Sequence, residues 1–156
     1  MVEKRSRGKG ELKPRPAPNH EFVDKRRKAR KVLVVDDEEI VTHTVSLMLT
    51  SAGYDAVIAH NGWEALRIAQ EENVGLVLCD LFMPGMSGWQ VIEHLRPLLP
   101  ETPIILFTGF MEDLRRDLEG RIEKLKIADV LFKPVRLQQL VEAIAPHVGH
   151  KDMRSL

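Results

Sequence analysis

The chain has 156 residues with 44% hydrophobic content, enough for one domain with a real core and too little for two comfortable ones. Its net charge of zero hides two unlike parts: residues 1–31 hold twelve Lys/Arg against four Asp/Glu, and residues 32–156 hold eleven against nineteen. The single cysteine, Cys79, excludes an internal disulfide framework, and no apolar run has the length of a membrane span or of a signal peptide behind the basic start, so a cytoplasmic protein is expected.

Residues 1–30 read as a disordered basic arm. Pro14, Pro16 and Pro18 alternate with Lys13, Arg15 and Ala17, and the segment offers too little apolar surface to offset the entropy of ordering it. Residues 21–31 carry at most a transient helix. Four readings of the arm stay open: a solvated tail, a non-specific contact with nucleic acid or an anionic membrane surface, a segment folded back on the acidic body, or an artefact of an upstream start codon. Nucleic-acid contact is expected through this arm alone, and without sequence reading, because aromatic interleaving is scarce.

From Val32 onward strand-like and helix-like segments alternate. Val32–Val35 is a continuous apolar run, as for a strand covered on both faces. Ile40, Thr44, Leu47 and Met48 recur at helical spacing, and that segment closes near Gly53. Ala56–Ala59 is a second strand, and Asn61-Gly62 turns into a helix carrying Ala65, Leu66, Ile68 and Ala69. Val74–Cys79 is the third strand, followed by the turn-rich loop Pro84-Gly85-Met86-Ser87-Gly88. Ser87 suits the cap of a helix with Val91, Ile92 and Leu95 on its apolar face. Pro103–Phe107 is the fourth strand, and Leu114, Leu118, Ile122 and Leu125 mark a helix with one apolar stripe. Val130–Phe132 is the fifth strand, and Leu137, Leu140, Val141 and Ile144 form a last helix ending before Pro146. Five strands alternating with five helices imply an α/β fold, doubly wound, with a parallel sheet. The domain is expected to span 31–146, with a tail at 147–156 that leaves no room for an output domain.

Four strands stop on residues that chemistry can use: Asp36-Asp37, Asp80, Thr108-Gly109 and Lys133-Pro134. In a parallel sheet all four lie along the carboxyl edge, where open α/β sheets bind ligands. Capping of the next helix explains Asp36-Asp37 alone; a bound Mg²⁺ relieving the repulsion of adjacent carboxylates is the other reading. Asp80 precedes a Pro/Gly loop, so capping explains it less well, and a carboxylate beside a divalent metal suits aspartyl-phosphate chemistry. Thr108 is an ordinary strand residue by itself, and Lys133 an ordinary solvated strand end. Taken as a set, the hydroxyl and the ammonium suit the oxygens of a phosphoryl group. The six histidines show no metal-ligand spacing, and His147 and His150 fall in the tail.

The segments VLVVDDEE, LVLCDLFMPGMSGWQVI, PIILFTG and VLFKPV resemble the receiver domain of bacterial two-component response regulators, from about Lys31 to Ala145. The resemblance implies flavodoxin-like strand order 2-1-3-4-5. It implies that Asp80 is the phosphoacceptor, that Asp36 or Asp37 with Asp80 and the Phe82 backbone carbonyl holds Mg²⁺, and that Thr108 and Lys133 are the switch hydroxyl and the phosphate-binding lysine. The phosphoryl donor would be a histidine kinase or a histidine phosphotransfer protein. The chain would then be a stand-alone signalling protein rather than an enzyme, a monomer or a phosphorylation-induced dimer. It would act on a downstream protein target through the surface around Phe110–Lys126 and Val130–Ala145.

Two departures from the family pattern stand out. Val130 occupies the position three before the lysine where many receivers carry Tyr or Phe, which puts a coupled Thr–aromatic switch in doubt. Phe82 and Phe110, two residues after Asp80 and Thr108, imply a phosphoaspartate shielded from water and long-lived. Two rival functions remain at this level. One is a degenerate receiver acting as a phosphorylation-independent scaffold. The other is a metal-dependent phosphatase with an Asp nucleophile, against which Phe82 lacks the acid/base that such enzymes carry two residues on.

Overall fold

The computed structural model describes residues 30–109 and 118–148. The basic arm, Phe110, Leu114 and His150, each given a reading above, lie outside them. In chain order the elements are β1 (Lys31–Val35), α1 (Glu39–Ser51), β2 (Ala56–Ala59), α2 (Gly62–Glu71), β3 (Val74–Cys79), α3 (Gly88–Leu98), β4 (Ile104–Thr108), α4 (Leu118–Leu125), β5 (Ile127–Phe132) and α5 (Leu137–Val148). The strands form one parallel sheet in the order β2-β1-β3-β4-β5, as the sequence leads one to expect.

The apolar runs are continuous because both faces of the sheet are covered, yet their residues still alternate. Leu33, Val35, Val77, Cys79, Ile104 and Leu106 pack with Ala65 and Ile68 of α2, Val91, Ile92 and Leu95 of α3, and Leu125 of α4. Val32, Val34, Leu76, Leu78, Ile105 and Phe107 pack with Val45 and Leu49 of α1 and Leu140 and Ile144 of α5. The chain enters in mid-sheet, runs out to β2, then crosses back past β1 to β3. The reversal leaves a crevice between the carboxyl ends of β1 and β3, the place where doubly wound sheets take ligands.

Three boundaries differ from the sequence reading, each for a local reason. β5 begins at Ile127 rather than Val130: Ala128 and Asp129 break the apolar pattern but are exposed, since this strand forms the sheet edge. Ile127 pairs with Ile104 and packs on the core, and Asp129 Oδ1 accepts the Val130 backbone N–H at 2.7 Å. β4 runs Ile104–Thr108 rather than Pro103–Phe107, because Pro103 has no N–H to give and serves only as the acceptor for Val77 N at 3.0 Å. α5 continues through Pro146 to Val148, so His147 is helical rather than part of a tail. A proline in the last turn removes one donor, and Val148 falls one turn beyond Ile144, where it packs on the same apolar cluster.

Arg96 is the tie that the sequence did not reveal. Its guanidinium donates to the carbonyls of Leu99 (3.1 Å), Thr102 (2.8 Å), Leu125 (3.0 Å) and Lys126 (3.3 Å), joining the end of α3 to the turn between α4 and β5. The Leu99 and Leu125 carbonyls are among those that helix ends leave without partners. Lys126, at φ 54°, turns the chain in the left-handed region just after α4. Replacing Arg96 by Ala is expected to lower stability by about 2 kcal/mol, read as a shift in urea midpoint at unchanged slope.

Candidate functional site

Asp36 follows β1 directly and is buried. Its backbone N–H donates to Ala59 O at 3.1 Å, and its Oδ1 accepts the Glu38 N–H at 3.0 Å. The cap residue of α1 is therefore Glu38, whose own side chain makes no cap bond, while Asp36 serves the helix start from outside. Capping and site chemistry are both available to one residue here. Asp37 is exposed at the rim.

Asp80 follows β3, where its N–H donates to Val35 O at 2.9 Å. This bond sets Asp80 beside Asp36 across the β1/β3 crevice. Its Oδ1 accepts the Phe82 N–H at 3.3 Å. Asp36, Asp37 and Asp80 each offer a carboxylate oxygen within 4.8 Å of the others, a cluster of hard oxygen donors that fits a divalent cation of the Mg²⁺ kind.

Lys133 comes from the opposite side, at the end of β5, its N–H bonded to Thr108 O at 2.8 Å. A cis bond joins it to Pro134. Its ammonium sits 2.5 Å from Asp36 Oδ2, 3.5 Å from Asp80 Oδ2 and 5.3 Å from the centre of the Phe107 ring. Thr108 is buried at the end of β4, and its hydroxyl has no hydrogen-bond partner among the described residues. Beside it, a Cβ added at Gly109 would meet no atom of the described residues within 4 Å. All four strand ends thus converge, as the sequence pattern leads one to expect.

The electrostatics follow from burial and charge. Burial pushes the Asp80 carboxyl above the usual carboxylate range; Lys133 opposes this, Asp36 adds to it, and the Phe82 N–H offsets a little. For Lys133 burial acts to lower the pKa, but the bond and charge of Asp36, helped by Asp80 and Glu38, prevail and raise it. Lys133 is therefore held charged. Cys79, buried beneath, donates its S–H to Asp80 O at 3.3 Å; burial first, and the two aspartates next, push its thiol up, so it is no nucleophile.

Against this geometry, the sequence pattern of the family described as "Response regulator receiver domain" matches residues 32–145. The chain belongs to that family. Receivers of two-component systems carry a phosphorylatable aspartate, bind Mg²⁺ at an acidic pocket and interact with histidine kinases or phosphotransfer proteins. Among similar proteins is the "Uncharacterized transcriptional regulatory protein YkoG" of Bacillus subtilis, 36% identical over 115 residues, covering 72% of this chain and 48% of that one. The chain thus spans about half the length of that relative. Among solved structures, chemotaxis protein CheY4 of Vibrio cholerae superposes with a TM-score of 0.68 at 28% identity, covering 76% of this chain and 98% of that one. Response regulator TrrA of Thermotoga maritima, in complex with Mg²⁺-BeF, gives 0.66 at 31% identity, covering 75% and 97%. No helix among the receiver's described residues is long and apolar enough to cross a membrane.

The loop that carries Phe82 is held at its far end, where Ser87 caps the next helix as its sequence position leads one to expect. Ser87 and Gln90 form a reciprocal capping box at the start of α3. A Cβ at Gly88 would lie 2.0 Å from Asp80 O and 2.6 Å from Leu81 Cα, so only glycine lets α3 approach the end of β3 this closely. Phe82 itself is half exposed, 51%, on that loop. Val130 packs partly buried on the α2–α3 side of the sheet, in register with Leu106.

Proposed function

We propose that this receiver accepts a phosphoryl group on Asp80, from a histidine kinase or a histidine phosphotransfer protein, and signals by phosphorylation-dependent protein binding. The observation that carries the reading is one ammonium, Lys133, set between two buried carboxylates beside a buried hydroxyl with no partner among the described residues.

In this reading the Asp80 carboxylate oxygen forms a bond to phosphorus as the donor's N–P bond breaks, and the freed imidazole takes up a proton. Lys133 holds charge near the transferring oxygens and moves from Asp36 towards them. The Thr108 hydroxyl donates to a phosphoryl oxygen and so gains the partner it lacks. Asp36, Asp37 and Asp80, with the Phe82 carbonyl, would hold Mg²⁺, which supplies neutralisation of charge on the transferring group. The Lys133 ammonium on Asp36 Oδ2 and Asp80 Oδ2 leaves Asp37 and the other two carboxylate oxygens for the cation.

Incubation of the protein with acetyl phosphate and Mg²⁺, followed by intact mass, is expected to give a single phosphoryl adduct, and chelation of the metal beforehand to prevent its formation. No adduct under saturating Mg²⁺ would sink the reading. Decay of the adduct tests the shielding role of Phe82: Phe82→Asn is expected to shorten its half-life several-fold, and an unchanged or longer half-life would count against that role.

A further inference from the structure

His43 and His60 are distant in sequence, and the fold sets them around one open depression. It has a volume of about 480 Å³ and is lined by Glu39, Ile40, Thr42, His43, Ile58 and His60. Glu39 and His43 lie four residues apart in α1 and so share a helix face. His60 directly follows β2, and its backbone N–H donates to Glu64 Oε2 at 3.1 Å, which fixes the main chain at that point. The ring is less well served: His60 Nδ1 is buried and has no hydrogen-bond partner among the described residues. Buried ring nitrogens normally have partners.

We propose that Glu39, His43 and His60 form a second cation site, for a borderline divalent transition metal of the Zn²⁺ class. Two imidazoles and one carboxylate suit such an ion, with a fourth position left for water, and suit Mg²⁺ poorly. The aspartate pocket, built of oxygen alone, has the opposite preference, so the two sites divide cations by hardness. The aspartates already stand within 4.8 Å of one another, whereas the second site closes by rotamer turns of Glu39 and His43, both exposed, towards His60. Exposed side chains make such turns on the nanosecond scale or faster. The exposed carboxylates of Asp37 and Glu38 lie at the same end of α1 and add negative potential. A bound ion would pin the start of α1 to the end of β2. The inference uses none of the residues proposed to accept or bind the phosphoryl group.

The test is a titration of the full chain with Zn²⁺ under saturating Mg²⁺, by calorimetry and by thermal melting. The expected result is one Zn²⁺ bound per chain and a raised melting temperature, since a ligand of the folded state alone stabilises it. His43→Ala and His60→Gln are each expected to weaken Zn²⁺ roughly tenfold or more, with their melting in the absence of zinc showing that they fold. Co²⁺ as a spectroscopic probe is expected to lose its imidazole-ligand absorption in the same variants. Zinc bound only when Mg²⁺ is withheld, or bound equally well by the folded double variant, would overturn the proposal.

Discussion

Asp80→Asn is expected to abolish the phosphoryl adduct and, at neutral pH, to make the protein more stable. The two effects have one origin. Asp80 is buried beside Asp36, and burial with the Asp36 charge raises its pKa against the partial help of Lys133. A carboxyl whose folded pKa lies above its unfolded one favours the folded state most when protonated. That contribution is fully present below the unfolded pKa, near 3.9, and is lost as pH rises through the raised folded value. Above the unfolded pKa the Asp80 carboxyl therefore costs the folded state stability that an uncharged isostere does not. Denaturant titrations of both proteins at pH 7 and near pH 4 check this: the variant's advantage is expected at pH 7 and to shrink on acidification. A variant that is phosphorylated as well as the parent would move the acceptor elsewhere; one that is less stable at pH 7 would refute the electrostatic account. Stability surrendered at a functional site in this way is a common trade.

Gly88→Ala is expected to destabilise the fold by about 3 kcal/mol and to slow phosphorylation in whatever remains folded. The added methyl would stand 2.0 Å from the Asp80 carbonyl and 2.6 Å from Leu81 Cα. Neither contact is with a flexible side-chain end, so main chain has to move. The main chain in question carries Asp80, the proposed acceptor, and Gly88 N donates to Leu81 O at 3.0 Å as part of the same junction. Thermal melting gives the first effect, and the initial rate of adduct formation at saturating Mg²⁺ gives the second. A variant as stable as the parent would show that the α3 start can back away from β3 freely.

The strand ends were legible because each apolar run stops abruptly on a polar residue, whereas the order of the strands came from the family resemblance. Asp36, Asp80, Thr108 and Lys133 needed no geometry to be singled out. What stayed hidden depends on contacts between distant segments. Gly88 reads as one more loop glycine until α3 is seen pressed on β3. Arg96 reads as a solvated helix residue until the turn after α4 is brought beneath it. The first half of β5 was missed because Ala128-Asp129 obeys the pattern of an edge, whereas Val130–Leu131–Phe132 reads as a covered strand. His43 and His60 have no meaningful spacing in the chain and share a cavity only because β2 lies beside α1. Pro146 was read as a stop, whereas the apolar stripe continued past it to Val148.

The exposed Asp129 on β5 bears on how other proteins can engage this molecule. An edge strand with free N–H groups invites another chain to extend the sheet, and natural proteins deter this with charges. Here the Asp129 carboxylate both carries a charge on the edge and occupies the Val130 N–H that an incoming strand would need. β-augmentation is thereby disfavoured at this edge, and association there falls to side-chain complementarity, which is easily made and broken. On the proposed reading the message lasts only as long as an acyl phosphate, and reversible docking of that kind is the mode that lets such a signal end.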